Sequence, residues 1–369
     1  MTDGRLHVFW HEAVLLHDTG AGLFEVEATP LVAEPEPHPE TAHRLRNMKA
    51  ILERGPLRET LVWREGRLAD PEELALVHEP AYVKHIRELS AAGGGRLTPT
   101  TLVSPRSWDA ARAAAGTALA ACDAVLDGTA VRAFALVRPP GHHAQPAQAD
   151  GYCLFNNVAV AAERARRGGV ERVAILDWDV HHGNGSQEIF YRRRDVLTIS
   201  IHMRHGSWGP SHPQTGSPLE VGVGEGAGFN VNVELPLGCG DAGYRKALEE
   251  VVVPIVDQFR PGLMLCAAGQ DASQFDANGR MCVTVDGFYD LGRTARELAD
   301  RHCGGRLVAV QEGGYGPTYA AYCLHGTLEG LLGASRQLPD PLAFLPDDPT
   351  RADEGIAAVR AALGRFWRA

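Results

Sequence analysis

A chain of 369 residues, 44% hydrophobic and 22% charged, is long enough to bury one large α/β core and ordinary enough in balance to be globular. A formal net charge of -10 argues against direct nucleic-acid binding, and the lack of a long apolar run or a basic-then-apolar start argues against a membrane span or a secretory leader. The same charge suits a cationic substrate, although acidity also serves solubility alone.

In chain order, Pro30 to Pro39 reads as a polar, Pro-rich surface loop, and Ser107 to Leu126 carries a helical pattern. Val131 to Val137 is the first of six short β-branched or aliphatic runs; the others are Val173 to Leu176, Val196 to His202, Phe229 to Val233, Leu263 to Ala268 and Leu307 to Gln311. Continuous rather than alternating runs predict strands buried on both faces of a parallel sheet. Helical patterns at Asn156 to Arg166, Gly243 to Phe259, Asp286 to Ala299 and Tyr319 to Leu332 separate many of them. The alternation predicts a single α/β domain over residues 1–369, with a central, mostly parallel sheet and helices on both faces. The seven cysteines (Cys122, Cys153, Cys239, Cys266, Cys282, Cys303 and Cys323) are scattered without a C-x-x-C, which predicts reduced core thiols in a cytoplasmic protein.

In such folds the ligand lies beyond the C-terminal ends of the strands, so the residues following each run are the candidates. Arg138-Pro139-Pro140-Gly141-His142-His143 follows the first run. Two histidines after a rigid turn can serve as acid and base if each is oriented through its other nitrogen, with Asp177 and Asn184 as candidate partners. A carboxylate and a neutral amide would push the two pKa values apart. Taken alone, this segment reads equally well as a surface histidine pair. Asp177-Trp178-Asp179-Val180-His181-His182-Gly183-Asn184-Gly185 follows the second run. Asp177, Asp179 and His181 start on one face of extended backbone, and carboxylates converging with an imidazole near the core call for a cation; oxygen and nitrogen donors suit zinc. The other reading is a solvated polar turn. Asp271, after Leu263 to Ala268, reads by itself as a helix cap, but with the first cluster it completes a three-ligand set that leaves positions open for water and substrate. After Leu307 to Gln311 comes Glu312-Gly313-Gly314-Tyr315, whose glycines let backbone approach a ligand and whose tyrosine could donate to an oxyanion; a tyrosine in a Gly-rich loop is more often packing.

These segments, together with Gly151-Tyr152-Cys153-Leu154-Phe155-Asn156-Asn157, resemble the signature segments of the histone deacetylase / acetylpolyamine amidohydrolase family, in the family's order, over about Arg44 to Leu332. Asn184, where the other main branch has Asp, looks like the class II branch and its bacterial relatives. The resemblance implies one catalytic zinc on Asp179, His181 and Asp271, with His143 as general base and then acid, His142 as an electrostatic helper held by Asp177, and Asn184 orienting His143. It implies that Tyr315 polarises the acyl carbonyl, and that Gly151, Tyr152, Trp208 and the Gly313-Gly314 backbone line an acyl-lysine tunnel. It also implies potassium sites, one at Ser200, the Ile201 carbonyl, Asp177, Asp179 and His181, the other at Phe190, Arg193, Val196 and Phe229. The implied reaction is metal-assisted hydrolysis of an acyl-lysine or another acylated amine, with no nucleic-acid or membrane partner and with room for a homo-oligomer.

Gln270 stands where many members carry Phe or Leu, Tyr152 where Phe is usual, and the His202 to Gly216 loop has its own length. Polyamine-selective relatives carry Glu at the tunnel mouth, seven residues after the last ligand; here that position is Asn278, which predicts a preference for acyl-lysine. The net charge and nearby Asp276 pull toward a polycation at long range, where screening weakens them. Two competitors remain. An arginase-type ureohydrolase needs a second carboxylate where Ser273 stands, and a non-catalytic acyl-lysine binder would be expected to lack a ligand or the tyrosine.

Overall fold

The computed structural model describes residues 5–22, 29–34, 36–206, 215–343 and 347–368. The strands are β1 (Leu6–Trp10), β2 (Leu61–Glu65), β3 (Gly95–Thr98), β4 (Thr101–Val103), β5 (Arg132–Ala135), β6 (Val173–Asp177), β7 (Val196–Met203), β8 (Asn230–Leu235), β9 (Leu263–Ala268) and β10 (Leu307–Gln311). Eight of them form one sheet in the order β2-β1-β5-β10-β9-β6-β7-β8, and every pairing is parallel. All six predicted runs are strands of this sheet, and β6, β7, β8, β9 and β10 are buried along their whole length, including the polar Thr198, Ser200 and His202 of β7 and Asn230, Asn232 and Glu234 of β8. β1, β2 and the antiparallel β3–β4 hairpin fall outside the predicted runs, β2 ending in the exposed Arg64 and Glu65.

Helices appear where the patterns predicted them, at Ser107–Leu126, Asn157–Arg167, Val285–His302 and Tyr319–Leu332. The long helix expected from Gly243 to Phe259 is instead two α segments, Asp241–Ala247 and Val253–Phe259, joined by a π turn at Leu248–Val252. The widened turn falls just before Pro254, which has no N–H to give to an α-helical ladder. The C-terminal helix Asp353–Leu363 lies against edge strand β8 and covers it: a Cβ added at Gly355 would meet the Glu234 carbonyl at 2.3 Å.

What positions the site is the order of the strands. The four candidate segments follow β5, β10, β9 and β6, which are far apart in sequence but consecutive in the sheet. The register keeps their ends level, with Val310 beside Ala135, Gln311 beside Ala268 and Asp177 beside Ala267. Four loops therefore leave the sheet side by side at one edge.

The helix Ser107–Leu126 packs close enough to the rest of the core that size at one position is critical. A Cβ at Gly116 would fall 2.1 Å from the Arg67 carbonyl oxygen and 2.4 Å from the Ala69 nitrogen. Gly→Ala inside a helix ordinarily gains about 1 kcal/mol. Gly116→Ala is expected to lower Tm instead, because the clash is with backbone; a raised Tm in thermal denaturation would show that the helix is free to move outward.

Candidate active site

Asp179, His181 and Asp271 stand beyond the ends of β6 and β9 and are all buried, with ligand-capable atoms within 4.8 Å of one another. His181 Nδ1 lies 3.1 Å from Asp179 Oδ1 and 3.1 Å from Asp271 Oδ2. Among the described residues this is the one group of three or more His, Cys, Asp or Glu side chains close enough to hold a metal ion. Burial, and after it the charge of Asp179, pushes the Asp271 carboxyl up to about 8. Two desolvated carboxylates this close cannot both stay ionised without a cation, and the oxygen and nitrogen donors suit zinc. Ser273 is buried two residues beyond Asp271 and brings no second carboxylate.

Backbone from the other strand ends fixes these carboxylates. Gly313 N donates to Asp179 Oδ2 at 2.8 Å, and Val180 N donates to Asp271 Oδ1 at 2.8 Å. A Cβ at Gly313 would sit 2.2 Å from Asp271 Oδ2, so only glycine lets the loop after β10 lie on the ligands.

The two histidines after β5 are both buried, with ring centroids 4.0 Å apart. His142 Nδ1 lies 2.9 Å from Asp177 Oδ2, and its Nε2 lies 3.6 Å from Asp179 Oδ1. Burial favours the neutral ring, but Asp179 and Asp177 outweigh it and hold the His142 pKa well above its ordinary value. His143 Nδ1 lies 2.6 Å from Asn184 Oδ1, so the two rings have the different partners expected.

The sequence reading missed Asp150, which fixes the direction of that second bond. Asn184 Nδ2 donates to Asp150 Oδ2 at 3.0 Å. A carboxylate only accepts, so the amide must turn its oxygen to His143, and Nδ1 of that ring then donates to it.

Other partners escaped the sequence reading as well. Glu312 Oε2 accepts from Gly141 N at 2.6 Å and His142 N at 3.1 Å, tying the loop after β10 to the histidine turn. Burial pushes its carboxyl up to about 7. Asn156 caps its helix by accepting from Ala159 N at 3.0 Å and donates to the Ala144 carbonyl at 3.2 Å, while Asn157 Nδ2 donates to the Pro139 carbonyl at 3.1 Å. The paired asparagines thus anchor the histidine turn to a helix start. Glu40 Oε1 accepts from Arg138 Nε at 2.7 Å and Arg44 Nη2 at 3.1 Å, and Arg44 Nη1 donates to the Glu312 carbonyl at 2.8 Å. Pro30 to Pro39 was expected to be a surface loop. It is exposed at its described residues 30–34, 36 and 37, but His38 turns inward, its ring centroid 4.9 Å from that of Tyr152 in an edge-on contact.

Tyr152 and Tyr315 are both nearly buried and meet edge to face at 5.6 Å, with the Arg44 guanidinium 5.3 Å from the Tyr315 ring centroid. Gly151 packs under His143, since a Cβ there would lie 2.3 Å from its Cδ2. Gly314 lies beside Gln270, which is itself paired to Gln311 at 2.7 Å behind the site. Asn278, expected at an open mouth, is instead 4% exposed, and its Nδ2 donates to the Tyr152 hydroxyl at 3.2 Å. Asp276 is also not a free attractor of cations, because both its oxygens accept backbone hydrogen bonds. Ser200 pairs with Asp177 across β6 and β7, and its hydroxyl lies 2.9 Å from His202 Nδ1. Trp208 lies outside the described residues.

Buried acidic and imidazole ligands beside two differently partnered histidines form the apparatus of a metal-assisted hydrolase. The histone deacetylase domain model matches residues 38–331. The chain is 46% identical to histone deacetylase 8 of Arabidopsis thaliana over 98% of this chain and 97% of that protein. It is 42% identical to the histone deacetylase-like amidohydrolase of Pseudomonas aeruginosa over 92% of this chain and 89% of that one. The crystal structure of the HDA15 HD domain superposes with a TM-score of 0.86 at 33% identity, covering 99% of this chain and 96% of that chain. The chain belongs to the histone deacetylase family and is a hydrolase that removes acyl groups from amines.

If Asp150 sets the direction of Asn184, Asp150→Ala should leave metal content intact and lower kcat about tenfold or more, within the range that a general base contributes. An unchanged kcat in steady-state assays would mean that Asn184 is held without it.

Proposed function

We propose that this protein is a zinc-dependent deacylase acting on N-ε-acyl-lysine, with residues 1–369 as one catalytic domain. The observation that carries the reading is the convergence of Asp179 and His181 from the end of β6, Asp271 from the end of β9, and His142 and His143 from the end of β5. Asp179, His181 and Asp271 would hold one zinc ion, which when bound supplies Lewis acidity to a water and to the acyl carbonyl. His143, oriented by Asn184, takes the proton of the attacking water and returns it to the leaving amine. His142, paired with Asp177, remains cationic and offsets developing negative charge. Tyr315 donates its hydroxyl to the oxyanion. Gly151, Tyr152 and Gly314 line the acyl path, and Asn278 acts there through Tyr152. Potassium is proposed at Ser200, Ile201, Asp177, Asp179 and His181, and at Phe190, Arg193, Val196 and Phe229. Seven free cysteines, six of them buried, support a cytoplasmic location. No helix among the described residues is long and apolar enough to cross a membrane.

Metal analysis should find about one zinc per chain, lost together with activity in Asp179→Ala and Asp271→Ala; full activity after exhaustive metal removal would refute the reading. Tyr315→Phe should keep zinc and lose on the order of 100-fold in kcat.

Substrate choice is tested by kcat/KM for acetyl-lysine peptides and acetylspermidine in one buffer. A neutral Asn278 cannot form the charge-assisted bond, worth roughly 1.5–3 kcal/mol, that a distal ammonium would make with a carboxylate. The peptide is expected to be preferred. A wild type that favours acetylspermidine tenfold would assign the chain to the acetylpolyamine amidohydrolases instead. Zinc binding with no turnover of either substrate would make it a non-catalytic binder.

A further inference from the structure

Asp276 lies five residues beyond Asp271, in the turn that carries Asn278. Its Oδ1 accepts from Asn278 N at 2.8 Å and Gly279 N at 3.2 Å, an ordinary closure of its own turn. Its Oδ2 does something that local turn chemistry does not require. It accepts from Tyr315 N at 2.6 Å and Gly316 N at 3.1 Å, in the loop after β10. The two loops are in backbone contact, since a Cβ at Gly316 would fall 2.7 Å from the Phe275 carbonyl oxygen.

Tyr315 needs such an anchor. It follows Gly313 and Gly314, the latter at φ 121°, and glycine loses more backbone freedom on ordering than any other residue. Around its ring are the edge of Tyr152 and the Arg44 guanidinium, contacts that set its tilt but tolerate sliding along the loop. The two N–H bonds to one carboxylate oxygen fix where the tyrosine's backbone starts. The same carboxylate holds the turn from which Asn278 reaches the Tyr152 hydroxyl.

We propose that Asp276 is a positioning residue for the oxyanion donor: it sets the height of Tyr315 over the ligand cluster and couples it to the wall formed by Tyr152 and Asn278. This rests on the reading of Tyr315 as the donor. Asp276 touches neither substrate nor metal ligand side chains in this role; it acts through the backbone of Tyr315 and Gly316.

The test is a double-mutant cycle on the zinc-loaded enzyme. Asp276→Asn keeps the size of the side chain but replaces one accepting oxygen with a donor. Displacement of a catalytic group by about 1 Å can cost on the order of 100-fold, so Asp276→Asn is expected to lower kcat about ten- to hundredfold with zinc content and KM little changed. In a Tyr315→Phe background the same change should cost less than about threefold, because the hydroxyl it positions is already gone. Fully additive losses, or a kcat for Asp276→Asn within about threefold of wild type, would overturn the proposal while leaving the deacylase reading intact. Hydrogen exchange on the wild type decides the matter if the variant does not fold or the enzyme has another substrate. The Tyr315 and Gly316 amides should be protected although they lie in a loop, and exchange at unprotected rates would overturn the proposal.

Discussion

Two carboxylates, Asp179 and Asp271, are buried within reach of one imidazole at the ends of adjacent parallel strands, and the surrounding site is arranged to make that burial tolerable. Desolvated negative charge needs donors or cations. The donors are backbone amides of Gly313 and Val180; the cations are the metal that the ligand set fits and the imidazolium of His142, held charged by Asp179 and Asp177 against its own burial. A charge cluster at strand ends thus accounts for the glycine after Glu312 and for the carboxylate beside the first histidine.

The second histidine is kept apart from this field by chemistry as much as by distance. Asn184 is neutral, so it directs the proton of His143 without adding charge, and Asp150 directs Asn184. One ring is stabilised as a cation and the other is oriented by a neutral amide, a division that two identical partners would not produce.

Around the ligands, buried or partly buried acids hold backbone or arginine side chains. Glu312 gathers the Pro-Pro-Gly-His turn, Asp276 gathers the tyrosine loop, and Glu40 gathers two arginines, one of which returns to the Glu312 carbonyl. Loops that leave the sheet separately are thereby joined into one rigid rim, which lets a site built largely from loops hold its geometry.

The sheet was legible where its strands are rich in Val, Ile and Leu; β2 ends in the exposed Arg64 and Glu65 and left no such trace. Asp177, Asp179 and His181 were legible because alternation along extended backbone puts them on one side before any tertiary contact forms. Asp271, His142 and Tyr315 became convincing only in company, since each has a commoner local explanation as a cap, a surface residue or packing. Asp150, Glu312, Glu40 and Asp276 could not be assigned from the chain at all. Each acts on backbone or side chains brought from another strand end, and Asn278 likewise reads as a free amide until the fold sets it against Tyr152. The sequence by itself determined which residues could bear charge and which runs had to be buried. Strand order, a property of the packed sheet, decided which of those charges would face one another.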